Sequence, residues 1–269
     1  MRVAFYTAVT GPGNGFIPDV SGLENPGFDF YLLKDTHHGN VPGWTSIDLD
    51  EAFPLDPGMH GHKQRYGKVM PQTFFPDHQY SVYLDPKWDF GTQFLQHCWT
   101  LVQQQHDWLT CEHPGRSTFQ EELLFAFCNG ILDLDECKRL LDVLAADGVR
   151  FERYFTSLCT WIIRRHDSRT RKTGERWFDL IYRCYEGNVR DQLLLPFATP
   201  YRNLVKRRLR IAQLYQHGGT LNYPNQARTR QVNWKPQVRE LLSYLELKTG
   251  IRVQEQAIRH LESTPATSA

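Results

Sequence analysis

Five short β-rich runs constrain the fold of this chain more than any other feature, because each delivers a polar residue at its end. VAFYTAV (3–9) carries Thr7, FDFYLLKD (28–35) closes on Asp35, and YSVYLD (80–85) closes on Asp85. DWLTCEH (107–113) closes on His113, and LCTWII (158–163) runs into Arg164. The segments between them have a helical character. HGHKQRYGKVM (60–70) stops at Pro71, and GTQFLQHCWTLVQQQ (91–105) has apolar residues at 94, 98, 101 and 102. Thr118 with Glu121, and Asp133 with Glu136, have the spacing of capping boxes, the second helix stopping at Gly148. ERWFDLIYRCY (175–185) and VRDQLLLPFA (189–198) also read as helices. Strands alternating with helices predict the α/β class, with an open sheet whose ligands bind beyond the carboxyl ends of its strands.

The 269 residues are 41% hydrophobic, enough for one large packed domain. Apolar runs nowhere approach the ~18 residues of a membrane span. The start MRVAFYTAV lacks the apolar stretch and cleavage site of a signal peptide, so a cytoplasmic protein is expected. Six cysteines without a C-x-x-C pair read as reduced, buried thiols. The net charge of +1 hides a division. Residues 1–149 hold nine Lys and Arg against twenty Asp and Glu, while residues 150–269 hold twenty-two against ten. Either the second half faces an anion, or the halves complement each other internally.

Six segments, in order, resemble a known family: VAFYTAVTG; FDFYLLKD before Trp44; RYGKVMPQTFFPDHQYSVYLDPK; EHPGRSTFQEE; IIRRH; and RWFDLIYRCYEGNVRDQLLL. They are similar to the glycosyltransferase-like domain of plant Golgi proteins linked to seed-coat mucilage and turgor regulation, which also has bacterial and viral members. The resemblance covers about residues 3–198. It implies a GT-A-like open, twisted, mixed sheet flanked by helices, and sugar transfer from a nucleotide-diphosphate donor. It also implies a transferase domain over 1–200. Beyond Pro200 the family has no counterpart, and the composition changes to a basic stretch, a polar loop (216–233) and two amphipathic helices (236–248 and 252–262). These read as a basic, helical C-terminal extension (201–262) packed on the domain, followed by a flexible tail (263–269).

Such a reaction needs positive charge against the departing pyrophosphate and a group to position or deprotonate the acceptor hydroxyl. Many enzymes of this fold hold Mn²⁺ or Mg²⁺ with an Asp-x-Asp pair. Here the sequence offers Asp85-Pro86-Lys87. Lys87 can stand in for the metal, making the reaction metal-independent, or Asp85 and His113 can still hold a cation. Asp89, beside a helix start, needs no catalytic role. Thr7 and Asp35 fall where the resembling fold touches base and ribose. Arg65 and Lys68, three apart on one helical face, suit the pyrophosphate. His113, Arg116 and Glu122 repeat the family's His-x-x-Arg…Glu spacing. Arg164 and His166 close a strand in the basic half and suit phosphate recognition. Arg190-Asp191-Gln192 is the most family-like tripeptide. Asp191, near a helix start, is expected to be a good hydrogen-bond acceptor and a modest base. Where the family continues with a small polar residue, this chain has Leu193-Leu194-Leu195.

These residues divide into catalytic (Asp191, Asp85, Glu122), donor-binding (Thr7, Asp35, Arg65, Lys68, Asp85, Lys87, Gln192) and acceptor- or phosphate-binding (His113, Arg116, Arg164, His166, Arg190) groups. His60 and His62 read as ordinary loop residues. Residues 150–176 carry eight basic residues against three acidic, and YRNLVKRRLR (201–210) adds five more. With interleaved aromatics, this suits either a hydroxylated base in DNA, as in phage-type DNA modification, or an acidic glycan as acceptor. The competing expectation is a decayed GT-A-fold module that only binds a nucleotide, nucleic acid or acidic glycan.

Overall fold

A computed structural model describes residues 1–12, 16–54, 59–149, 151, 157–186, 190–198, 207–221 and 234–251. In chain order the elements begin with β1 (Val3–Val9), β2 (Phe28–Lys34), β3 (Thr45–Asp48), α1 (Leu49–Ala52), α2 (His60–Val69) and α3 (Pro71–Phe74). β4 (Tyr80–Leu84), β5 (Trp88–Asp89), α4 (Thr92–Gln103), β6 (Trp108–Glu112), α5 (Phe119–Cys128) and α6 (Leu134–Ala146) follow. Next come β7 (Ser157–Arg165), α7 (Ser168–Cys184), a 3₁₀ turn (Asp191–Leu193) and α8 (Leu195–Ala198). The described chain closes with β8 (Arg207–Leu209), α9 (Ile211–Gln216), β9 (Thr220–Leu221) and α10 (Trp234–Thr249).

Seven strands form one mixed sheet in the order β3-β2-β1-β4-β7-β6-β8. β1 to β4 are mutually parallel, β7 runs antiparallel to both its neighbours, and β8 is parallel to β6. β1 is central and buried at every position, as its unbroken run of apolar residues requires. Its side chains alternate between two cores. Ala4, Tyr6 and Ala8 face a layer built from α2, α5, α6, α7 and α10. Val3, Phe5 and Val9 face a layer built from α4 and α9. The chain is therefore α/β, an open mixed sheet flanked by helices, with helical C-terminal residues packed on it.

Helix boundaries follow side-chain chemistry. Thr118 and Asp133 each cap through the expected reciprocal bonds with Glu121 and Glu136. Gly148 ends the second helix region at φ +67°, where a Cβ would be strained. α7 begins earlier than the sequence suggests, because Asp167 caps it through Arg169 and Thr170. The two glycines of α2 and α7 allow close packing. A Cβ on Gly67 would stand 3.2 Å from Leu33, and one on Gly174 only 2.5 Å from the Val69 carbonyl oxygen. α2, which carries Arg65 and Lys68, is thereby seated between sheet and α7.

Several expectations change. Residues 189–198 do not form one helix: the described part is a 3₁₀ turn and a single α-helical turn. β3 and β8 are too short to stand out in the sequence. Asp89 lies in β5, paired with Thr220, three residues before α4 opens at Thr92. Residues 207–251 interlock with the remainder through β8 on β6, β9 on β5, and α10 against α6. A second C-terminal helix (252–262) and the tail lie outside the described residues. The charge division is used internally as well. Arg165 and Arg169 pair with Asp107, Arg176 and Arg183 with Asp147, Arg190 with Glu122, and Lys248 with Asp142. Among the described residues no helix is long and apolar enough to cross a membrane.

Candidate active site

The carboxyl ends of β2, β4 and β6 share one edge of the sheet and bring Asp35, Asp85 and His113 to it. β7 runs the other way, so its carboxyl end lies at the opposite edge. There Arg165 pairs with Tyr80, the first residue of β4. The expectation that Arg164 and His166 meet a phosphate at the ligand edge is therefore corrected. Arg164 is buried and donates to the main-chain carbonyls of Lys68 and Val69 and to the Tyr6 hydroxyl, with Trp108 beneath its guanidinium. Its role is to hold the end of α2. Burial, with the Arg164 charge nearby, lowers the His166 pKa to about 3, so this imidazole is neutral.

Two linked charge clusters occupy the ligand edge. In the first, Lys68 Nζ lies 2.7 Å from one Asp191 oxygen and Arg65 Nε 2.9 Å from the other. Lys68 also stands 3.5 Å from Asp85, whose Oδ1 accepts from the Tyr83 hydroxyl at 2.6 Å. Burial would raise the pKa of Asp191, but Arg65 and Lys68 outweigh it and hold the carboxyl at about 2. The Tyr83 phenol is pushed well up by burial and by Asp85, so it stays a donor. The turn bearing Asp191 is fixed from below: Trp177 Nε1 donates to the Asp191 carbonyl at 2.9 Å, and the Tyr185 hydroxyl to that of Arg190 at 3.0 Å.

The second cluster centres on Glu122, which is fully buried. Its carboxylate accepts from Arg116 on one oxygen and from Arg190 on the other at 2.8 and 2.6 Å. Although burial opposes the charge, Arg190 and Arg116 keep this carboxyl below its usual range. His113 Nδ1 accepts from the backbone N–H of Gly115 at 3.1 Å and of Arg116 at 3.0 Å, and Nε2 lies 2.5 Å from Arg116. Burial and the Arg116 charge lower its pKa to about 4. Arg190 and Asp191 are chain neighbours, so the clusters meet there.

Other sequence candidates fall elsewhere. Lys87 is exposed on the turn after β4, and the lysine that meets Asp85 is Lys68. Thr7 points with Phe5 and Val9 into the layer opposite α2, its buried hydroxyl making no hydrogen bond. Gln192 is buried beside Asp191 and its amide nitrogen has no hydrogen-bond partner. Asp35 is buried and accepts from Gly11 N at 2.6 Å, from His37 N at 3.1 Å and from the His38 ring at 3.0 Å. These bonds outweigh burial and hold its carboxyl well below the usual range.

Asp85 and His113 do not fit a shared metal. Each is already committed, Asp85 to Lys68 and Tyr83, and His113 to Arg116 and two backbone donors. The described residues do contain one group able to hold an ion: Asp35, His37 and His60. Sequence reasoning missed His37, His60, Tyr83 and Trp177. A histidine two residues past a strand-end aspartate, and another opening the next helix, were the visible signal. The path of the chain between them was not.

No protein-family model matches this chain, and no curated protein does. Among solved structures, the apo form of mouse xyloside xylosyltransferase 1 aligns over 78% of this chain and 85% of that one. The TM-score is 0.46 and the sequence identity 7%.

Proposed function

We propose that this chain is a glycosyltransferase that moves a sugar from a nucleotide-diphosphate donor to an acceptor hydroxyl. The observation that carries the reading is the arrangement of Lys68 and Arg65 on Asp191, with Lys68 reaching Asp85 at the carboxyl end of β4. Fixed cations stand at the ligand edge, where a departing diphosphate needs them. The sheet order, with β7 antiparallel among parallel strands, and the six family-like segments support the same fold-level reading.

In this reaction the bond from the anomeric carbon to the diphosphate oxygen breaks, the acceptor oxygen bonds to that carbon, and the acceptor's proton passes to the departing diphosphate oxygen. Lys68, Arg65 and Arg190 stabilise the negative charge that builds on the leaving diphosphate. Asp191, its pKa held at about 2 by Arg65 and Lys68, is too weak a base to take the proton efficiently near neutrality. It orients sugar or acceptor hydroxyls as a hydrogen-bond acceptor, together with Asp85. Glu122 is locked between two arginines and acts as a positioning residue. No step requires a metal at Asp85.

Among the described residues Arg165, Arg169, Arg176 and Arg183 are paired internally, which leaves less basic charge to recruit DNA. The acceptor is therefore proposed only as a hydroxyl, a glycan being favoured. The test is turnover against a panel of nucleotide sugars, with Mn²⁺ and with EDTA, beside thermal melting with nucleoside diphosphates. Donor hydrolysis or transfer that is lost in Asp191→Asn supports the reading. Stabilisation by a nucleoside diphosphate without any turnover would replace it with the binding-module reading.

A further inference from the structure

We infer that Asp35, His37 and His60 form a site for one divalent transition-metal ion of the zinc, cobalt or nickel class. The site is separate from the Lys68–Asp191 cluster and does not depend on the glycosyltransferase reading. Three segments build it. Asp35 closes the β2 edge of the sheet, His37 follows two residues on, and His60 opens α2. Their ligand atoms lie within 4.8 Å of one another. His37 Nδ1 is 3.1 Å and His60 Nδ1 3.4 Å from the same oxygen, Asp35 Oδ2. Ligands about 2.0–2.1 Å from a tetrahedral ion are separated by roughly 3.3–3.5 Å, so both edges are close to the spacing such an ion needs.

The hydrogen bonding points the same way. Asp35 Oδ2 already accepts the Gly11 N–H at 2.6 Å and faces His37. His60 Nδ1 reaches that oxygen as a third group, yet it is buried and makes no hydrogen bond. A carboxylate oxygen has two lone pairs, so it cannot serve three donors well. A cation among the three atoms gives the orphaned nitrogen a partner and turns two competing imidazoles into ligands.

The surroundings resemble a metal's outer shell. Asp35 Oδ1 is fixed by His38 Nδ1 at 3.0 Å and by the His37 N–H at 3.1 Å, which orients the carboxylate. The His37 and His60 rings, 5.1 Å apart and nearly perpendicular, hold their Nδ1 atoms toward the centre. Two imidazoles and one carboxylate favour borderline transition ions over Mg²⁺ or Ca²⁺, which prefer all-oxygen shells. About 40% of each histidine side chain is exposed, so water or a ligand can complete the coordination.

The experiment uses the full chain, freed of metal by chelation and titrated with Co²⁺ and Zn²⁺. Visible absorption reads the cobalt geometry and calorimetry reads the zinc stoichiometry. One equivalent is expected, with tetrahedral cobalt bands, and His37→Ala and His60→Ala should each weaken binding about tenfold or more. Both histidines are partly exposed, and circular dichroism of the variants checks that they fold. Binding that persists at wild-type affinity in the His37→Ala/His60→Ala double variant would overturn the site, as would no binding at all. Neither readout uses sugar transfer, so its failure and that of the proposed function are distinguishable.

Discussion

The guanidinium of Arg164 donates to the main-chain carbonyl of Lys68, 96 residues earlier in the chain. A residue expected to bind phosphate instead anchors the backbone of the residue whose side chain faces the site. Burial lowers the Arg164 pKa, with Tyr6 opposing, and its charge is answered by carbonyls, a phenol and an indole face.

Arg164→Met should therefore destabilise the protein by about 2–4 kcal/mol, because it strands the Lys68 and Val69 carbonyls and the Tyr6 hydroxyl. Arg164→Lys should recover only part of that loss, since a single ammonium cannot reproduce the fork. Urea denaturation of the three proteins checks both statements. A neutral Arg164→Met would show that α2 is held by other contacts.

The glycines of α2 and α7 make opposite predictions. Gly174→Ala drives a methyl against the Val69 carbonyl oxygen, which is backbone and already held by Arg164, so a loss of about 1–3 kcal/mol is expected. Gly67→Ala meets the ends of Leu33 and Leu49 and the Ala8 methyl at 3.2–3.4 Å. Those leucine ends can yield, and helix propensity returns about 1 kcal/mol, so the change should be near neutral. Paired thermal melts distinguish the two sites.

Acid should unfold the protein in two ranges. His113 has a native pKa of about 4 against an ordinary 6.5, so the unfolded chain binds more protons between those values. Stability present at pH 7 is lost as pH falls from about 6.5 to about 4, by on the order of 3 kcal/mol from this residue. Asp191, at about 2 against 3.8, adds a second loss between about pH 4 and pH 2. Urea midpoints measured from pH 7 to pH 4 should fall in the wild type and fall less steeply in His113→Gln, the remaining slope coming from His166, whose pKa of about 3 costs stability over the same range. An unchanged slope would show that His113 is not buried neutral.

The sequence revealed what depends on local pattern. The β1, β2, β4 and β6 runs, the capping boxes at Thr118 and Asp133, and the strand-end residues Asp35, Asp85 and His113 all follow from periodicity and side-chain chemistry. What failed depends on strand direction and on long-range approach. The run 157–165 looks the same whether it is parallel or antiparallel, yet its direction decides which edge receives Arg164. The meeting of His60 with Asp35 depends on the chain between β2 and α2, where no local rule fixes the path.

Lys68 and Lys87 give the sharpest contrast, because both were donor-binding candidates and only one touches Asp85. Lys68 is buried, 2.7 Å from Asp191, so Lys68→Met removes a partner from a buried carboxylate and should cost about 3–5 kcal/mol. Adding Asp191→Asn to that variant should restore part of the loss, since the uncompensated charge is then gone. Lys87 is exposed, so Lys87→Ala should change stability by less than about 0.5 kcal/mol. Each variant, measured against its own unliganded melting temperature, then reports on phosphate binding. Stabilisation by a nucleoside diphosphate should vanish in Lys68→Met and persist in Lys87→Ala. The reverse result would place the leaving-group charge on the turn after β4 and remove α2 from the chemistry.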